Sequence, residues 1–238
     1  SKDGSEKGRF SRNEIASLKE GPNAKLVVAY LSIGEAENYR WYWKENWDRD
    51  KDGVPDKNAP SWLGEENPEW SGNYKVRYWD KGWKSIIFLY LDKIIQAGFD
   101  GVCLDGVDAY AYWSGKGELD TSTARAEMVK LVREIASYAR SKKGKGFGIF
   151  VVNGEELSSY PEFVDVITGI VRESLWYEWN KPKQFSLIAK SLQYLDALKR
   201  REKLVLVIEY LTDRELVADF YSKAREKGYI PYATTVEL

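Results

Sequence analysis

Short β-branched runs alternate with helical stripes along almost the whole chain, and this alternation restricts the fold more than any other feature. The runs are Leu26–Ile33, Lys75–Asp80, Gly101–Gly106, Phe147–Asn153, Val166–Glu173, Leu204–Tyr210 and Ile230–Val236. Between them, apolar residues recur at i, i+3 and i+4 in Lys84–Ala97, Ala126–Arg140, Phe185–Leu198 and Glu215–Ala224, the spacing of one helix face. Ser11-x-x-Glu14 and Thr212-x-x-Glu215 read as capping boxes. Gly21, Gly98, Gly144 and Gly228 stand where a helix would close on a left-handed residue, and Pro182 suits a first helical turn. Nearly continuous apolar strands fit a parallel sheet covered by helices.

Such a chain makes either a (β/α)8 barrel or a doubly wound sheet. Most of the runs end on a carboxylate or amide: Glu35, Asp80, Asp105, Asn153, Glu173 and Glu209. A barrel gathers its strand C-termini around one mouth, and no glycine-rich nucleotide loop follows any strand. The barrel is therefore favoured, as a single domain over residues 1–238. Seven strands are readable instead of eight, so either one strand is hidden or N-terminal strand material of a longer fold lies upstream of this stretch.

Composition removes whole classes of chemistry. The 238 residues include no histidine and one cysteine, Cys103. Histidine-based triads, histidine-ligated zinc and internal disulfides are thereby excluded. Lys+Arg of 36 against Asp+Glu of 37 leaves a net charge of −1, too little positive excess for a nucleic-acid binder. No apolar run is long enough to span a membrane. Catalysis must run on carboxylates, Lys, Tyr or a hard metal.

Acids at strand ends suit glycoside hydrolysis, which uses two carboxylates flanking a sugar. Asp105 and Glu173 are the preferred pair because each ends an apolar strand. The alternative role for Asp105 is to cap the following loop, and for Glu173 to pair with Arg172. Asp108 and Glu209 are supporting candidates, while Glu35 and Glu37 sit near Arg40 and are open to pairing with it. Ten Trp and 16 Tyr offer flat faces for sugar rings or cations. They include Trp41, Tyr42, Trp43, Trp47, Trp62, Trp70, Trp79 and Trp83, then Tyr110, Tyr112 and Trp113, then Trp176, Tyr177 and Trp179. At least half are expected to pack loops onto the fold instead.

A separate signal is Asp48-Arg-Asp50-Lys-Asp52-Gly53-Val54-Pro-Asp56. This D-x-D-x-D-G spacing sets three carboxylates around a hard cation, with the Val54 carbonyl and Asp56 as further ligands. Ala59 occupies the place of an EF-hand's bidentate Glu, so a full EF-hand is absent. Structural calcium and a plain solvated acidic loop both remain open, and catalysis itself needs no cofactor.

Val28-Ala-Tyr-Leu-Ser-Ile-Gly-Glu-Ala-Glu37, Gly98-Phe-Asp-Gly-Val-Cys-Leu-Asp-Gly-Val-Asp108 and Val207-Ile-Glu-Tyr210 resemble glycoside hydrolase family 114, the endo-α-1,4-polygalactosaminidase-like barrels. The similarity runs from about Lys25 to the C-terminus and is nearest to the bacterial and archaeal branch. It implies a (β/α)8 TIM barrel, a secreted or cell-surface location and hydrolysis of galactosamine-containing polysaccharide; the chain is separately expected to be a monomer. By motif, the family's two catalytic acids fall on Asp105 and Glu173. Sugar contacts are assigned to Tyr30, Glu35, Asp80, Asp108, Asn153, Trp176, Glu209 and Tyr210. Two departures bear on substrate choice: Gly106 stands where many members have Asn, and Val152 precedes Asn153 where a polar residue is common. The alternatives are a non-catalytic glycan-binding barrel and a metal-assisted hydrolase built on the Asp48–Asp56 loop. The distance of that loop in sequence from both acids argues against the latter.

Overall fold

In the computed structural model, residues 8–20 and 25–235 are described. They fall into two units, Ser1–Gly148 and Ile149–Leu238. The first contains α1 (Arg12–Lys19), β1 (Val28–Ser32), β2 (Glu35–Glu37), β3 (Leu63–Glu66), β4 (Asn73–Val76), α2 (Lys81–Ala97), β5 (Gly101–Asp105), α3 (Tyr110–Gly115) and α4 (Thr121–Lys143). Strands β1 and β5 pair in parallel, Ser32 opposite Asp105. A small antiparallel sheet runs β2-β4-β3.

The second unit contains β6 (Gly148–Val152), α5 (Pro161–Val166), β7 (Gly169–Glu173), β8 (Tyr177–Glu178), β9 (Lys181–Pro182), α6 (Phe185–Arg200), β10 (Leu204–Tyr210), α7 (Arg214–Lys227) and β11 (Ile230–Thr234). Its parallel strands are ordered β6-β7-β10-β11, and β8 and β9 form a short hairpin. The fold is α/β, as expected. The described residues supply six parallel strands, where a closed barrel has eight.

The expected strand Lys75–Asp80 belongs to a different sheet. Residues 73–76 alternate half-buried and buried, the pattern of an antiparallel strand with one covered face. β6, by contrast, is buried throughout. Asp80 then serves as the N-cap of α2, accepting from the Gly82 N–H at 2.6 Å, and does not end a parallel strand. Val166 closes α5, so the strand expected from Val166 begins only at Gly169. Val236 lies outside the described residues.

Helix ends follow local chemistry. Ser11 and Glu14 form both halves of a capping box. The second box is replaced: Asp213 caps α7 by accepting from the N–H groups of Glu215 and Leu216. Thr212 is instead tied to Asn180. Gly98 and Gly228 close α2 and α7 with left-handed backbones, and Gly144 ends α4 at φ +89°. Gly21 lies outside the described residues. Pro182 lies in β9, and α6 starts only after Gln184. Among the described residues no helix is long and apolar enough to cross a membrane.

Much of the aromatic load is structural. Tyr42, Trp47, Trp62 and Trp83 are buried. They meet edge-on or tilted, Trp47 to Trp62 at 5.3 Å and Trp62 to Trp83 at 5.0 Å between ring centres. Of the eight aromatics singled out between positions 41 and 83, Trp70 alone is exposed.

Candidate active site

In the first unit, β5 delivers Asp105 to the end of a parallel pair. The Ile33 N–H donates to the Asp105 carbonyl at 2.9 Å, carrying the ladder one residue past β1. Each carboxyl oxygen has a donor: the Gly106 N–H reaches Oδ1 and the Tyr30 hydroxyl reaches Oδ2, both at 2.7 Å. The loop-capping alternative is thus realised on one oxygen, while the other is held by a side chain from the neighbouring strand. Tyr30 is 47% exposed, but desolvation around its hydroxyl, and after it the charge of Asp105, push its pKa well above the usual range.

Gly106 explains its own identity. At φ +71° its Cβ would sit 2.8 Å from the Cα of Gly34, and a Cβ on Gly34 would lie 2.2 Å from the Gly106 carbonyl oxygen. The backbone beside Asp105 therefore admits no side chain at either position.

The remaining first-unit acids have other partners. Glu35 forms an ion pair with Lys75 and accepts from Asn67 and Asn73. Arg40 pairs with Glu37, which is 3% exposed and also accepts from Tyr39. Asp108 is exposed ahead of α3. Asp48, Asp50 and Asp52 come together, whereas Asp56 Oδ2 is engaged by the Arg49 N–H at 2.9 Å and the Val54 side chain is exposed.

In the second unit, Glu173 ends β7. Asn153 Nδ2 donates to its Oε2 at 3.1 Å, and the Tyr210 hydroxyl donates to Oε1. Asn153 has φ +57°, a left-handed position that Asn tolerates better than most residues. Its Oδ1 accepts from the Glu173 N–H at 3.1 Å and from Arg172 Nη1 at 3.0 Å. Arg172 does not pair with the Glu173 carboxylate. Arg172 turns to the buried Glu155, its Nε donating at 3.0 Å, and reaches only the backbone carbonyl of Glu173. Glu155 escaped the sequence reading because nothing in its spacing distinguishes it from Glu156.

Two expected sugar contacts lie in the interior of this unit. Trp176 is 7% exposed and packs against Phe220 and Tyr229. Glu209 is fully buried, with Oε1 accepting from the Trp176 N–H at 2.7 Å and Oε2 without a partner among the described residues. Burial pushes the Glu209 carboxyl up to about 7. The unfolded chain ionises this group near 4.5, while the folded chain keeps its proton to about 7. Its contribution is therefore complete below pH 4.5 and is lost as pH rises to 7, a change of about 3 kcal/mol. Denaturant titrations across this window should show that slope in the wild type and a flatter line in Glu209→Gln. Equal slopes would refute the assignment. Trp179, by contrast, is 67% exposed at the tip of the β8–β9 hairpin.

An α/β fold whose parallel strands end on braced carboxylates defines a class of acid-based hydrolases. The chain belongs to glycoside-hydrolase family GH114, whose profile matches residues 3–238. It is accordingly a glycosidase with a carbohydrate substrate. An uncharacterized protein of Methanocaldococcus jannaschii is 43% identical over 242 residues, covering 98% of this chain and 67% of that protein. A Thermotoga maritima protein, also uncharacterized, is 38% identical over 100% of this chain and 73% of its own length. Two solved structures share the fold. One is the glycoside hydrolase domain of PelA from Pseudomonas aeruginosa, with TM-score 0.70, 17% identity and coverage of 95% of this chain and 84% of that one. The other is Aspergillus fumigatus Ega3 in complex with galactosamine, with TM-score 0.66, 19% identity and coverage of 94% and 80%.

Proposed function

We propose that this glycosidase cleaves internal α-1,4 linkages of a galactosamine-containing polysaccharide, with Asp105 and Glu173 as its two carboxylates. The observation that carries the reading is how these acids are held. Asp105 accepts from a phenol and a backbone amide, and Glu173 from an amide side chain and a phenol. These donors fix where each carboxylate points, and each acid stands at the C-terminal end of a parallel strand, Asp105 on β5 and Glu173 on β7, where folds of this kind keep the carboxylates that act at a glycosidic bond.

The galactosamine bound by Ega3 supports the choice of sugar. A deacetylated amino-sugar polymer is cationic, and acidic groups at strand ends would draw it in. A polymer of that size is met outside the cell, so we place the enzyme there, acting as a monomer. Tyr30, Asn153 and Tyr210 are positioning residues in this scheme, and the exposed Trp179 face supplies a platform for a sugar ring.

Incubation of the purified protein with α-1,4-galactosamine polymers of graded acetylation, and with glucosamine polymers as controls, tests the proposal. Mass spectrometry should show short galactosamine oligomers from the first set. Release of none, or cleavage confined to glucosamine polymers, would overturn it.

A further inference from the structure

We infer that the Asp48–Asp52 loop of the first unit is a calcium site. Carboxylate oxygens of Asp48, Asp50 and Asp52 lie within 4.8 Å of one another. Asp48 is 5% exposed. Its Oδ2 is committed to the Gly53 N–H at 3.1 Å and the Tyr74 hydroxyl at 2.5 Å. Its Oδ1 is buried without any hydrogen-bond partner among the described residues. A buried carboxylate oxygen left unsatisfied is costly, and three negative charges this close repel. One divalent ion at the cluster answers both.

The backbone is shaped for this. Lys51 at φ +58° and Gly53 at φ +81° curl the loop, while the Asp56 N–H closes it on the Trp47 carbonyl at 2.7 Å. The Gly53 carbonyl accepts from the Glu66 N–H at 2.8 Å, fastening the loop to β3. All the side-chain ligands offered are oxygens, which suits a hard cation. Asp50 and Asp52 are exposed, so they can adjust to the larger, less regular shell of calcium more readily than to the tight octahedron of magnesium. The site stands on this loop alone and is independent of which glycan the protein cleaves.

Trp47 adjoins Asp48 and makes terbium, a calcium mimic, a direct probe. Terbium added to chelator-treated protein should give tryptophan-sensitised emission that saturates at one equivalent and is competed away by calcium. Calcium should also raise the melting temperature by about 5 °C or more over chelator, and magnesium by much less. The double variant Asp50→Asn/Asp52→Asn changes only exposed side chains and leaves Asp48 in place. It should keep the wild-type circular dichroism spectrum while losing both responses. Absence of emission and of any calcium-dependent melting shift in the wild type would overturn the site. So would undiminished responses in the double variant, or an equal shift with magnesium.

Discussion

Replacing Asp105 with Asn should leave a folded protein whose turnover of a galactosamine polymer falls by about 10²–10⁴-fold. Asn keeps the shape of the side chain, with its oxygen for the Gly106 N–H and its amide to donate to the Tyr30 hydroxyl oxygen, but it has no charge to stabilise or attack an oxocarbenium-like centre. Glu173→Gln should act on the same scale, because the acid that donates or accepts a proton becomes an amide. Both variants should bind polymer with affinity close to wild type, so the loss should fall on kcat. Initial rates of reducing-end release, alongside circular dichroism and melting curves, separate lost chemistry from lost structure. A well-folded Asp105→Asn protein with wild-type rates would end the assignment. Unchanged binding in both variants, with no turnover by the wild type either, would instead point to a glycan-binding protein.

Trp83→Ala should cost about 3–5 kcal/mol of stability. The indole is fully buried, contacts Tyr42 and Trp62, and donates its N–H to the Ile33 carbonyl at 2.8 Å. Its removal opens a cavity inside the aromatic stack and strands a carbonyl beside the end of β1. Trp83→Phe restores most of the volume but not the donor, so it should cost less, about 1–3 kcal/mol. Guanidinium titrations of the three proteins give the comparison, and an alanine variant within about 1 kcal/mol of wild type would show that the stack is not a stabilising centre.

The legible parts of the fold were those encoded by short-range periodicity. The stripes in Lys84–Ala97 and Ala126–Arg140 lie inside α2 and α4, and the helices run longer because their caps, Asp80 and Asp120, are polar residues outside the stripe. The run Lys75–Asp80 carries its own sheet assignment in its alternation, since a parallel strand covered on both faces does not alternate. Partner choice was the illegible part. Arg172 is adjacent to Glu173 in sequence, yet successive strand residues point to opposite faces, and the guanidinium meets Glu155 instead. Tyr30 and Asp105 are 75 positions apart, and only the parallel register of β1 on β5 brings the phenol to the acid. Glu209 and Trp176 sat where strand-end logic expects contacts, but burial makes them a pin for the chain after Glu173.

The contact between Gly34 and Gly106 carries an evolutionary consequence. Neither position can acquire even a methyl group while the other strand end stays put, so a change at one is tolerated only together with a shift of the facing main chain. The Ile33 N–H, one residue before Gly34, is bonded to the Asp105 carbonyl, so that shift would fall beside the acid. A larger residue after this acid therefore requires a re-spaced facing segment, and specificity engineering at position 106 alone is closed off.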